Sequence, residues 1–200
     1  MFKLNKKEAE YYLIKIFDFI ENGDSKFKGH PGLYFFHTKT ELKEKINELL
    51  SENEYDEFDL YYITSLLIKF MLGRYDSHTK VSFKDNIYIP IDFTVEENSL
   101  YVTNISPIYK KLIGCKLLKI NNIDIQKILC ELEEIICYST KEHLSVMIQS
   151  FLSDVNVLKS LPSIENNTEK FIYTILNDNN EKENITFNIN NLPEFYSVQF

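Results

Sequence analysis

Basic residues are the minority charge in this chain, glycine and cysteine are scarce, and no apolar run is long. The 200 residues carry 22 Lys and Arg against 30 Asp and Glu, for a net charge of −8. No stretch concentrates Lys or Arg on one predicted face, which argues against nucleic acid or an anionic membrane as partner. Spanning a bilayer takes about 20 consecutive apolar residues, and no segment approaches that. No secretory leader is visible either. Lys3, Lys6 and Lys7 precede an amphipathic segment with no small-residue cleavage site behind it. The expected compartment is the cytoplasm.

Cysteine occurs three times, at Cys115, Cys130 and Cys137. An odd number in apolar patterns excludes a disulfide frame and reads as reduced, buried thiols. The four histidines are scattered, with none at ligand spacing from Cys or Glu, so neither a metal nor another cofactor is expected. Glycine occurs only at 23, 29, 32, 73 and 114. Hydrolase serines usually sit at tight turns flanked by small residues, where backbone amides converge on the oxyanion. No serine here has such a setting. Ser139, Ser145, Ser150 and Ser153 lie in helical patterns and read as caps or solvent-facing residues.

What is present divides by periodicity. The first third is helical. Asn5 with Glu8 makes a capping box, followed by Ala9, Tyr12, Leu13, Ile16, Phe17 and Ile20 at helical spacing. Thr38 with Glu41 starts a second helix, with Leu42, Ile46, Leu49 and Leu50 inward. Asp56 starts a third, carrying Phe58, Tyr62, Leu66, Phe70 and Met71. Gly73 reads as its left-handed cap. Residues 1–80 are thus expected to form a helical bundle.

The period then changes. Ile87, Ile89, Ile91, Phe93 and Val95 alternate as a half-buried strand, which Pro90 marks as an edge or bulged strand. Leu100 to Ile105 returns beside it, and Pro107 to Leu112 is a loop or single helical turn. Gly114 to Asp124 gives a strand, an Asn121-Asn122 turn that tolerates positive φ, and an N-cap at Asp124 for a helix bearing Ile128, Leu129, Leu132, Ile135 and Ile136. Ser139 with Glu142 starts another helix, with Leu144, Met147, Ile148, Phe151, Leu152 and Val155 in phase. Phe171 to Leu176 and Ile185 to Ile189 form a C-terminal hairpin. Tyr196 to Phe200 alternates like a strand awaiting a partner, an edge through which a homodimer could pair. The expected class is α+β: a helical bundle over 1–80, a small β module with its helix over 81–138, and a helix plus hairpin over 139–200.

Between the helical and β parts lies Leu72-Gly73-Arg74-Tyr75-Asp76-Ser77-His78-Thr79. His78 is the candidate chemical residue. With an unperturbed pKa of about 6.5 it suits proton transfer near neutral pH, and Ser77 could orient it. The alternative is that His78 and Thr79 satisfy backbone groups of the loop.

Strand, turn, strand, then Gly114-Cys115-Lys116-Leu117-Leu118-Lys119-Ile120-Asn121-Asn122-Ile123-Asp124 and a helix resembles the PDZ-like module of tail-specific (C-terminal-processing) serine peptidases. Asp76-Ser77-His78-Thr79 is similar to the Gly-Asp-Gly-His-Thr-like element that precedes that module, and the Ser-His pair resembles the tricorn-core branch. The resemblance covers roughly 56–161. It implies that His78 is a general base, with Ser77 beside it, for a serine supplied by a later α/β catalytic domain absent from this stretch. It further implies that peptide or unfolded protein is captured along an edge strand at Ile89, Ile91 and Phe93. The chain departs from the family pattern at Gly114-Cys115, where Gly-Asp is usual, and at Asn121-Asn122, where Asn-Gly is usual. It also lacks a Gly-rich carboxylate-binding loop. Two readings follow: a non-catalytic, substrate-presenting portion of a serine-peptidase-family protein, or a stand-alone PDZ-like binding module without enzymatic activity.

Overall fold

The computed structural model describes residues 3–22, 39–51, 58–72, 80–96 and 99–193. The architecture is α+β, in two compact units: Met1–Ser82 with Glu134–His143, and Phe83–Glu133 with Leu144–Phe200.

The first unit is built on helices α1 (Lys6–Asn22), α2 (Lys39–Ser51) and α3 (Leu60–Leu72). The capping box at the start of α1 forms as its sequence suggests. Asn5 N–H donates to Glu8 Oε2 at 2.9 Å, and Glu8 N–H donates to Asn5 Oδ1 at 3.1 Å. Ala9, Leu13 and Phe17 of α1 pack with Leu42, Ile46, Leu49 and Leu50 of α2 and with Ile63, Leu67 and Met71 of α3. Burial of each large apolar side chain contributes about 1.5–3 kcal/mol before entropy is subtracted. Tyr12 belongs to the expected stripe but stays exposed.

The start of α3 differs from expectation. Phe58 is not on the helix. Short strands β1 (Lys3–Leu4) and β2 (Phe58–Asp59) pair antiparallel, with Leu4 opposite Phe58. Asp59, not Asp56, is the cap, its Oδ1 accepting from the N–H groups of Tyr61 (3.0 Å) and Tyr62 (3.2 Å). Asp56 and the Gly73 cap lie outside the described residues.

The second unit is a six-stranded antiparallel sheet. Its strands are β3 (Ile91–Glu96), β4 (Ser99–Ile105), β5 (Lys116–Ile120), β6 (Ile123–Asp124), β7 (Lys170–Leu176) and β8 (Lys182–Asn188), ordered β3-β4-β5-β7-β8 with β6 paired to β5. The C-terminal hairpin expected to stand apart from the β module therefore continues its sheet, because β7 pairs with β5. The β5–β6 turn uses positive φ at both Asn121 (50°) and Asn122 (66°), as its Asn pair suggests. Asp124 caps helix α4 (Ile125–Ile135) by accepting from Gln126 N–H at 2.9 Å. Ile125, Ile128 and Leu132 of α4 are buried. Cys130, two residues beyond Ile128 and so more than half a turn round the helix, is exposed, against the expectation of three buried thiols.

Helix α5 (Lys141–Phe151) starts one residue later than expected, because Thr140 Oγ1, not Ser139, accepts from His143 N–H at 3.2 Å. The apolar phase continues past Phe151, but the helix does not. Asp154 caps a new helix α6 (Val155–Ser160), accepting from Asn156 N–H and Val157 N–H. The sheet core is aromatic: Phe93 stacks on Tyr173 at 6.0 Å between centroids, and Tyr173 meets Phe187 edge-on at 5.8 Å.

Candidate functional site: a groove beside the edge strand

His78 and Ser77, the candidate base and its orienting neighbour, lie outside the described residues. The peptide-binding candidates lie within them. β3 is an outer strand of the sheet, hydrogen-bonded to β4 and to no second strand among the described residues. Ile89, Ile91 and Phe93 all face inward, at 1%, 0% and 3% exposure. Their side chains build the core, and of the three only Phe93 also lines the groove beside the strand. What this edge presents is main chain and the residues that alternate with them, Asp92 above all.

The approach to β3 is fixed at the junction of α5 and α6. Ile89 N–H donates to the Ser153 carbonyl (2.8 Å) and Val155 N–H to the Ile87 carbonyl (2.9 Å). Asn156 Nδ2 donates to the Asp85 carbonyl at 2.9 Å. Further along, Ser106 N–H donates to the Pro90 carbonyl at 3.0 Å. Pro90, which has no N–H to give, thus sits just before the strand, and the irregularity it suggests falls between Asp92 and Phe93, where the pairing with β4 shifts register.

This clasp brings α5 alongside β3 and β4. Between them opens a groove of about 500 Å³ lined by Asp92, Phe93, Thr103, Asn104, Val146, Gln149 and Ser150. Asp92 and Asn104 are cross-strand partners, and Asn104 Nδ2 donates to Asp92 Oδ2 at 3.2 Å. Burial pushes the Asp92 carboxyl above its ordinary range, and the Asn104 hydrogen bond only partly offsets this. Ser150 Oγ, which lines the groove, donates to the Met147 carbonyl at 2.9 Å. Val146 is the apolar wall, 61% exposed.

The alternation over Ile89 to Phe93 gives the edge strand away in sequence. The contribution of α5 is not readable there, since it depends on main-chain pairing between segments far apart in the chain. Among the described residues no group of three His, Cys, Asp or Glu could hold a metal ion, and no helix is long and apolar enough to cross a membrane.

No family model matches the chain, and no curated protein matches it. Among solved structures it is similar to mature CPAF, at TM-score 0.60 and 14% identity. It is also similar to mature CPAF complexed with lactacystin (TM-score 0.59, 12% identity) and to a CPAF mutant (0.58, 15%). In each case 92% of this chain aligns with 34% of the other, so the chain spans about a third of the length of these proteins. At such identity the likeness is one of fold. The fold shared is that of CPAF, a chlamydial serine protease, and the likeness gives no support to the tail-specific family in particular. The chain carries an α+β fold shared with about a third of these structures.

Proposed function

We propose that this chain is a peptide-presenting portion of a protease-related protein. An extended polypeptide lies along the open side of β3 and pairs with its main chain, in the groove walled by α5. The observation that carries this reading is a strand whose outer flank pairs with no second strand among the described residues, beside a helix-lined groove, an arrangement suited to strand addition. The fold likeness to CPAF supports placing such a module in a protease. In this reading the nucleophile belongs to a further catalytic domain. His78, with Ser77 beside it, supplies the base on the strength of the sequence resemblance.

The direct test is amide chemical-shift mapping with capped, extended peptides. Saturable shifts over 90–96 and 146–150 support the reading. Shifts confined to Lys6–Asn22 and Lys39–Ser51, or none at millimolar peptide, overturn it. For His78, the complete natural protein carrying His78→Ala should lose turnover while its stability stays within about 0.5 kcal/mol. A large stability loss would instead assign His78 to the architecture of its loop.

A further inference from the structure

The charge of the groove is one-sided, Asp92 being the sole charged side chain that lines it. Asp92 presents carboxylate oxygens. Asn104 spends one of its two amide protons on Asp92, and Ser150 spends its only hydroxyl proton on the helix backbone, so Ser150 can only accept from a ligand. Thr103 and Gln149 are the remaining polar side chains, and no Lys, Arg or His lines the space. A carboxylate entering here would meet Asp92 with no cation to offset it. Nor is there a glycine between 73 and 114 to form the amide nest in which peptide C-termini are usually held. A donor-rich cation meets the opposite situation. Its charge pairs with Asp92, its remaining protons reach neutral acceptors, and its alkyl stem lies on exposed Val146.

We infer that the groove selects an internal, extended peptide segment that places a lysine or arginine side chain opposite Asp92, and not a free peptide C-terminus. The inference rests on the peptide-presenting reading above and adds the substrate class. Strand pairing along β3 supplies affinity common to all sequences, while Asp92, held by Asn104, supplies the choice.

The test uses fluorescent nonapeptides of alternating Thr and Val, acetylated and amidated, with Lys, Gln or Glu at the centre. A fourth peptide carries central Gln and a free C-terminal carboxylate. The Lys peptide should bind at least about tenfold tighter than the Gln peptide, as a charge-assisted hydrogen bond implies. The Glu peptide should be weakest, and the free carboxylate should gain nothing. Asp92→Asn should collapse the Lys-to-Gln ratio toward one. Independently of any variant, raising salt tenfold should weaken the Lys peptide selectively. Equal binding whatever the central residue, a salt-insensitive Lys peptide, or tightest binding by the free carboxylate overturns the inference while peptide presentation stands. If none of the four binds, peptide presentation itself fails, and the inference with it.

Discussion

Asn121 and Ile172 exchange a pair of hydrogen bonds across the sheet. Asn121 N–H donates to the Ile172 carbonyl at 2.8 Å, and Ile172 N–H donates to Asn121 Oδ1 at 2.8 Å. The side chain of a turn residue thus completes a main-chain ladder. Asn121 also holds φ at 50°, which asparagine tolerates better than most residues. Asn121→Ala loses the acceptor and keeps the strained φ, so it should cost about 2 kcal/mol in chemical denaturation. Asn121→Gly relieves the φ and should cost less, by about 1 kcal/mol. Equal losses would mean that the side-chain bond carries the whole effect.

The Asp154 carboxyl is raised by burial, which the two amide bonds from α6 only partly counter. A raised native value means that the folded protein holds this proton more tightly than the unfolded chain. Its contribution to stability is fully present below the ordinary carboxylate value of about 3.9 and is lost as pH rises through the raised value. Asp154→Asn keeps an acceptor for the cap without the charge. Across that window its stability should depend less on pH than that of the wild type, and at neutral pH it should be at least as stable. Asp154→Ala removes the cap and should cost about 0.5–2 kcal/mol. Melting curves of the three proteins across mildly acidic pH check both statements.

Tyr173 is fully buried and its hydroxyl donates to the Leu152 carbonyl at 2.8 Å, at the end of α5. Tyr173→Phe preserves the ring contacts with Phe93 and Phe187 and removes that donor. The expected cost is about 1–2 kcal/mol by urea unfolding. Tyr173→Ala, which also empties the ring site, should cost about 3–5 kcal/mol.

The three thiols should separate by reactivity. Cys130 is exposed on α4, whereas Cys115 and Cys137 are buried. Burial, and next the Asp178 carboxylate, push the Cys115 thiol up, so it holds less of the reactive thiolate at neutral pH. Native protein should consume one equivalent of a thiol reagent quickly, at Cys130 by peptide mapping, and the rest only on unfolding. Fast labelling of Cys115 would contradict its burial just before β5.

The local rules were readable wherever a short segment decides its own conformation. The Asn5–Glu8 box and the Asp124 cap use partners within three residues, the Asn121-Asn122 turn needs only two residues that tolerate positive φ, and each formed. Where a distant segment intervenes, the element boundaries differ from those the local pattern predicts. The cap of α3 shifted from Asp56 to Asp59 because Phe58 is drawn into a strand pair with Leu4. The helix beginning near Thr140 looked unbroken through Val155 because Leu152, Val155 and Leu158 are all buried and keep a helical phase across the break. The signal available there was Asp154 itself, a strong N-cap residue in mid-pattern. At the groove, alternation told which residues of β3 face inward. It could not tell that pairing of Ile87 and Ile89 with Val155 and Ser153 would bring Val146 and Ser150 opposite Asp92.

The position of β5 has a consequence for how the sheet assembles. The β3–β4 and β7–β8 pairs are local hairpins that can zip within microseconds of being made. The β5–β7 seam must wait until α4, α5 and α6 have all been synthesised and looped out between its two strands. Closing that loop is the entropic bottleneck, and proteins governed by such late, non-local pairing fold slowly. During the wait β5 offers a raw flank to any neighbouring copy, so crowding on the ribosome or a truncation before Lys170 would favour aggregation over a finished sheet.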